Sequence, residues 1–150
     1  MSGYRKIAVA IDLSSESNSI LKRAVDVAAA DGEIHLIYVQ EPMDSVYMGV
    51  VPYGPVFVGM DEVEENLRAE LRQKLDDIGE RFDIPKAFRH FLSGTPSREI
   101  HKFAEDNDMD LIVLGTHGQK GVQLLLGATA NSVLHGAACD VLAVRMAETS

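Results

Sequence analysis

Three glycines and one aspartate carry most of the chemistry this chain can offer. Gly115 and Gly118 flank Thr116-His117 directly after the apolar, β-branched-rich run Leu111-Ile-Val-Leu114, and Gly127 stands just ahead of Ala128-Thr-Ala-Asn131. The apolar run reads as a buried strand that stops at a tight loop, and the segment after Gly127 can start a helix. Glycine lets backbone N–H groups approach an anion closely, and a helix N-terminus adds partial positive charge. The stretch therefore has the make-up of a phosphate cradle. Asp12 ends a second apolar run, Lys6-Ile-Ala-Val-Ala-Ile11. As a site residue it can accept hydrogen bonds from a ribose or help hold a divalent cation; otherwise it caps the next helix or ends the strand.

Other routes to chemistry are thinner. Gly54 to Gly59 has the glycine spacing of a Walker A loop, but Met60-Asp61 replaces Lys-Ser/Thr and no strand closely precedes it. No Gly-x-Gly-x-x-Gly follows the first apolar run, which excludes a dinucleotide Rossmann fingerprint. The histidines (His35, His90, His101, His117, His135) form no i, i+4 pair and have no cysteine partner at zinc spacing. His117 lies in the cradle and can donate to a phosphate, and Lys120 can add charge; each is equally at home as a solvated loop residue. Ser93, Ser97 and Ser132 lack a triad partner, so nucleophilic catalysis has no support. The lone Cys139 excludes an intramolecular disulfide and fits a small core residue better than a reactive thiol.

Composition narrows the class. The 150 residues suit one domain (1–150) with a core of its own. A net charge of −9, with scattered basic residues, argues against nucleic acid. No apolar run approaches the ~18 residues needed to span a bilayer, and no signal region precedes the first strand. The expectation is a cytoplasmic protein that contacts neither membrane nor nucleic acid. Acidic residues crowd Asp61 to Glu80, which reads as a solvated helix face. Any bound nucleotide must then be held by backbone dipoles and a cation rather than drawn in by net charge.

The elements that would position these groups alternate. Residues 6–12 predict a strand, and the pattern Ile20, Leu21, Ala24, Val25, Ala28 predicts a helix capped by Ser14 or Ser15 and stopped at Gly32. Residues 33–39 predict a second strand. Residues 40–59, with Pro42, Pro52, Pro55 and many apolar side chains, predict a long loop suited to cover a ligand, a partner or the domain itself. Val63, Leu67, Leu71, Leu75, Ile78 and Phe82 mark the buried stripe of a long helix that opens on Asp61-x-x-Glu64, a capping-box pattern. A strand over 88–93, a helix opened by Thr95-Pro96 and buried through Ile100, Phe103 and Ala104, a strand over 110–114, a helix from Gly127 or Ala128 to about Ala137 and a strand over 140–145 complete the chain. Such alternation implies a parallel sheet covered on both faces, with ligands beyond the strands' carboxyl ends. If the first and fourth strands are neighbours, Asp12 and Gly115 face one crevice.

Taken together, Ile7-Ala-Val-Ala-Ile-Asp12-Leu-Ser14, Leu36-Ile-Tyr-Val39, Asp110 to Gly118, Leu124 to Leu134 and Cys139 to Arg145 resemble the universal stress protein family over almost the whole length. The resemblance implies an α/β fold: an open five-stranded parallel sheet of order 3-2-1-4-5 with helices on both faces, Rossmann-like and similar to the adenine nucleotide alpha hydrolases. It implies a homodimer built by pairing the last strand, Val141 to Arg145, across a two-fold axis. It also implies ATP or AMP as ligand, possible Mg²⁺ carried with the nucleotide at Asp12, no catalytic residues, and a role in stress response or signalling through protein partners. Transferred by position, the nucleotide site comprises Ala10, Ile11, Asp12, Val39, Leu114, Gly115, Gly118, Gly127, Ala128 and Thr129. Ala10, Val39 and Leu114 would meet adenine, Asp12 the ribose, and the glycines with Ala128 and Thr129 the phosphates. Two departures stand out. The family's binding branch separates Gly118 from the next glycine by one residue more than Gln119 to Leu126 here, and has Ser or Thr where Ala128 stands. The alternative is a dimeric scaffold that binds no nucleotide, and slow ATP hydrolysis is a weaker third reading.

Overall fold

The computed structural model describes residues 3–41, 60–116 and 128–145. They form a five-stranded sheet of order β3-β2-β1-β4-β5. The strands are β1 (Tyr4–Ala10), β2 (Ala28–Gln40), β3 (Arg89–Ser93), β4 (Leu111–Gly115) and β5 (Asp140–Val144). The helices are α1 (Ser17–Val27), α2 (Met60–Arg81), α3 (Pro96–Asp106) and α4 (Ala128–Gly136), with one 3-10 turn at Lys86–Phe88. Every strand pair is parallel, which places all five carboxyl ends on one edge. The order matches the expectation, and β1 and β4 are direct neighbours through Ile7–Leu111, Ala8–Ile112 and Val9–Val113.

Alternation along each strand sorts side chains to two faces. Ile7, Val9 and Leu36 meet Ile20, Leu21 and Ala24 of α1 and Leu75 and Ile78 of α2. Ala8, Ile37, Ile112 and Leu114 meet Ile100, Phe103 and Ala104 of α3 and Ala130 and Val133 of α4. At the amino-terminal edge Asp110 stitches β1 to β4. Its carboxylate accepts from the backbone N–H of Arg5 (3.0 Å) and of Lys6 (2.9 Å).

Three local expectations are corrected. The first helix does not run to Gly32: it ends at Val27, and residues 28–32 open β2 instead. The alanines favour helix, but Tyr4 of β1 pairs with Ala28, and strand pairing wins. Gly32 is needed for close approach rather than as a helix stop, since a Cβ there would lie 2.7 Å from the carbonyl oxygen of Tyr4. Neither Ser14 nor Ser15 caps α1; Glu16 occupies that position without a side-chain bond. Finally, the stripe of α2 is buried at Leu75 and Ile78, half-buried at Leu67 and Leu71, and 55% exposed at Val63. The cause is length: 22 residues of helix extend ~33 Å, whereas a five-residue strand such as β3 extends ~17 Å. The first turns of α2 therefore overshoot the sheet. The capping box rests on the Asp61 side chain, which lies outside what the structure describes, as do residues 42–59 of the expected loop; Gln40, its first residue, belongs to β2.

Candidate functional site at the carboxyl edge

β1 stops at Ala10, two residues sooner than its composition suggests, so Ile11 and Asp12 belong to the turn into α1. Ile11 still anchors that turn: its N–H donates to the carbonyl of Ile37 (3.0 Å), and its side chain is buried in the α1/α2 core. Only its backbone can therefore face a ligand. Asp12 is half-buried, and its Oδ1 accepts from the N–H of Ser14 at 3.0 Å, closing an Asx turn. Ser14 Oγ in turn accepts from the N–H of Glu16 (3.3 Å). Between them Leu13 sits at φ +66°, a left-handed conformation that is uncommon outside glycine. Such strain, of order 1 kcal/mol or more, clusters at functional turns. The second carboxylate oxygen of Asp12 has no partner among the described residues.

The apolar half of the site comes from three adjacent strands. Ala10 closes β1, Val39 lies near the end of β2 and Leu114 near the end of β4, and all three join the α3/α4 cluster. Leu114 is buried, whereas Ala10 and Val39 keep part of their surface. Gly115 is half-buried and pairs with Val144, and Thr116 follows with its N–H on the Val144 carbonyl (3.0 Å).

Of the expected phosphate cradle, the helix is described. α4 begins at Ala128 and turns Ala130 and Val133 into the same cluster as Leu114, with Thr129 exposed. The first N–H groups of any α-helix lack intrahelical acceptors, so Ala128 and Thr129 supply donors of the right kind for an anion. Gly118 and Gly127, with His117 and Lys120, lie outside the described residues. No group of three His, Cys, Asp or Glu suited to a metal occurs among the described residues. Asp12 is a single carboxylate, so a cation there would need further oxygens from the nucleotide's phosphates.

Two polar groups at this edge went unnoticed in the sequence. Tyr38 is half-buried beside Asp12, and burial first, then the carboxylates of Asp12 and Glu41, push its phenol pKa up. It stays a neutral donor and acceptor. Gln40, 5% exposed, has a carboxamide with no hydrogen-bond partner among the described residues, although its backbone carbonyl accepts from Gly94 (3.0 Å). The alternating pattern of β2 contains the signal for both, since polar side chains at the carboxyl end of a buried strand are costly unless used. Cys139 fits the core reading: it packs against the α3/α4 cluster, and burial, then Asp140 and Asp110, push its thiol pKa up.

Among the described residues no helix is long and apolar enough to cross a membrane. The model of the Universal stress protein family matches residues 3–145. Universal stress protein A homolog 1 of Coxiella burnetii is 38% identical over 146 residues, covering 97% of this chain and 99% of the relative. Homolog 2 of the same organism is 37% identical over 148 residues, with 97% and 98% covered. Among solved structures, hypothetical protein MJ0577 superposes with a TM-score of 0.78 at 24% identity over 97% of this chain and 99% of that one. A universal stress protein in complex with cAMP superposes with a TM-score of 0.66 at 21% identity, over 96% and 98%. Matched in sequence from end to end of these relatives and in fold by these structures, the chain belongs to the universal stress protein family.

Proposed function

We propose that this protein is a nucleotide-binding stress or signalling module: a cytoplasmic homodimer that takes up ATP, ADP or AMP and presents an altered surface to protein partners. The observation that carries the reading is the convergence of Ala10, Val39 and Leu114 on one apolar cluster at neighbouring strand ends. Asp12, with an oxygen left over from its Asx turn, follows directly on β1. Apolar walls with few polar groups are how small-molecule sites are built. A family neighbour crystallised with cAMP supports an adenine nucleotide as the ligand class. Asp12 would accept from the ribose hydroxyls, and backbone N–H groups at Ala128 and Thr129 would face phosphate. Mg²⁺, when carried by the nucleotide, would supply charge that this acidic chain lacks.

The role of Asp12 as a turn acceptor suits binding rather than turnover, and we read the protein as a non-enzyme. Phosphate release that survives purification and vanishes in Asp12→Ala would reverse that reading. Ala128 in place of Ser or Thr removes one hydroxyl contact, worth about 0.5–1.5 kcal/mol or roughly a 2- to 12-fold loss of affinity. That substitution, with the shortened connection to Gly127, favours a second reading as a scaffold without nucleotide. Calorimetry with ATP and AMP, with and without Mg²⁺, separates the two. Saturable binding that Gly118→Trp abolishes supports the module, and no heat at millimolar nucleotide leaves the scaffold.

A further inference from the structure

On the α3 side of the sheet, away from the strand ends, two histidines meet across β2 and β3. His35 is 8% exposed, and its Nδ1 lies 3.1 Å from Nε2 of His90. Its other nitrogen, Nε2, lies 3.0 Å from Oε1 of Glu33, whose side chain is 46% exposed. The two imidazoles stack at 19°, Phe88 stacks on His35 at 4.2 Å, and the Phe103 ring of α3 lies 4.5 Å from His90. Pairing places Ala8 opposite His35 on β1 and Ile37 opposite His90.

Proton counting follows from this geometry. The Glu33 carboxylate only accepts, so His35 Nε2 carries a hydrogen. In the neutral pair His35 Nδ1 is then an acceptor, and His90 Nε2–H donates to it. One extra proton leaves a single hydrogen between the facing nitrogens and keeps the bond. A second extra proton puts N–H against N–H and places two cations beneath Phe103. Among the described residues, Glu33 is the charged side chain placed to offset them. Arg89, the neighbour of His90, is taken up by Ile84, Asp76 and Glu80. On α3, His101 is turned to the carbonyl of Val133 (2.9 Å).

We infer that the His35–His90 pair is an acid-sensitive latch, which bonds β2 to β3 under Phe103 at neutral pH and releases that bond, loosening α3 from the sheet, when both rings are protonated. Burial, and then the charge of His35, lower the pKa of His90. The unfolded chain therefore takes up this proton more readily than the folded one. The stabilisation is complete above the ordinary imidazole value of about 6.5 and is lost as pH falls below it toward the lowered value. The latch does not depend on nucleotide, and its test uses none.

The experiment combines histidine NMR titration with urea unfolding at pH 7 and pH 5, on the wild type and His90→Phe. His90 should titrate below the ordinary imidazole midpoint, with faster amide exchange at Phe103 and Ala104 as it does. The unfolding constant of the wild type should rise severalfold more on acidification than that of His90→Phe. An ordinary His90 midpoint, or equal pH responses in both proteins, overturns the latch. Should His90→Phe fail to fold, the wild-type titration decides alone: a lowered midpoint with coupled amide exchange supports the latch, and any other result removes it.

Discussion

The two faces of the sheet are built from different materials. Under α1 and α2 the strands present Ile7, Val9 and Leu36, large side chains that are fully buried. Under α3 and α4 they present Ala8 and Ala10 beside Ile37 and Leu114, and those helices answer with Ala104 and Ala130. The first face is filled by its own side chains. The second sets small side chains among large ones and carries the histidine pair. Stability should therefore concentrate on one face, and binding on the other and at its edge.

The largest effect expected from that division is on the filled face. Leu36→Ala removes a side chain with no exposed surface and should cost about 2–5 kcal/mol in urea unfolding, as core truncations to alanine do. Nucleotide affinity of the folded protein should change by less than about twofold, since additivity holds for separate sites. A comparable loss of affinity would mean that the faces are not independent.

A second test sits on the same face but is polar. Arg89 is buried beneath α2, where its Nε donates to the carbonyl of Ile84 (2.9 Å) and its Nη2 meets Glu80 (2.9 Å). The ion pairs reach carboxylates that are 44% exposed at Asp76 and 71% exposed at Glu80, so they contribute little. The buried bond to Ile84 matters more. Arg89→Met should cost about 1–3 kcal/mol, the penalty of an orphaned acceptor, and should do so at high salt as well as low. Gly79 belongs to the same arrangement, because a Cβ there would lie 2.7 Å from Cδ of Arg89. Gly79→Ala, which helix propensity alone would make stabilising by ~1 kcal/mol, should instead destabilise. A gain in melting temperature for Gly79→Ala would show that Arg89 moves aside cheaply.

How much of this was legible differs by region for physical reasons. Alternating strand and helix periodicity marks the parallel sheet from local pattern alone, and Asp12 and Gly115 at the ends of apolar runs mark its carboxyl edge. The strand order needed the family resemblance, because periodicity does not record which strands touch. The helix-favouring Ala28-Ala-Ala30 misleads, since its partner Tyr4 is remote in sequence. The same limit hid the histidine pair, whose members stand 55 positions apart and match no metal spacing. Arg89 read as one more scattered cation; only the fold brings Gly79 and Ile84 to it. The overshoot of Val63 was hidden because periodicity reports which way a helix faces and not how far its support extends.

The smallest expected stability effect belongs to the edge, where the binding effect should be greatest. Asp12→Asn keeps an oxygen at the position that accepts from Ser14, so the Asx turn survives and stability should stay within about 0.5 kcal/mol. What disappears is the charge. A hydrogen bond to a charged acceptor is worth about 1.5–3 kcal/mol against about 1 for a neutral one, so adenine-nucleotide affinity should fall on the order of tenfold. If Asp12 acts through a cation, the loss should be larger with Mg²⁺ present than without it. If it acts on the ribose alone, the two losses should be equal. Unchanged affinity under both conditions would make Asp12 a turn residue and nothing more, and would move the weight of binding to the backbone N–H groups that open α4.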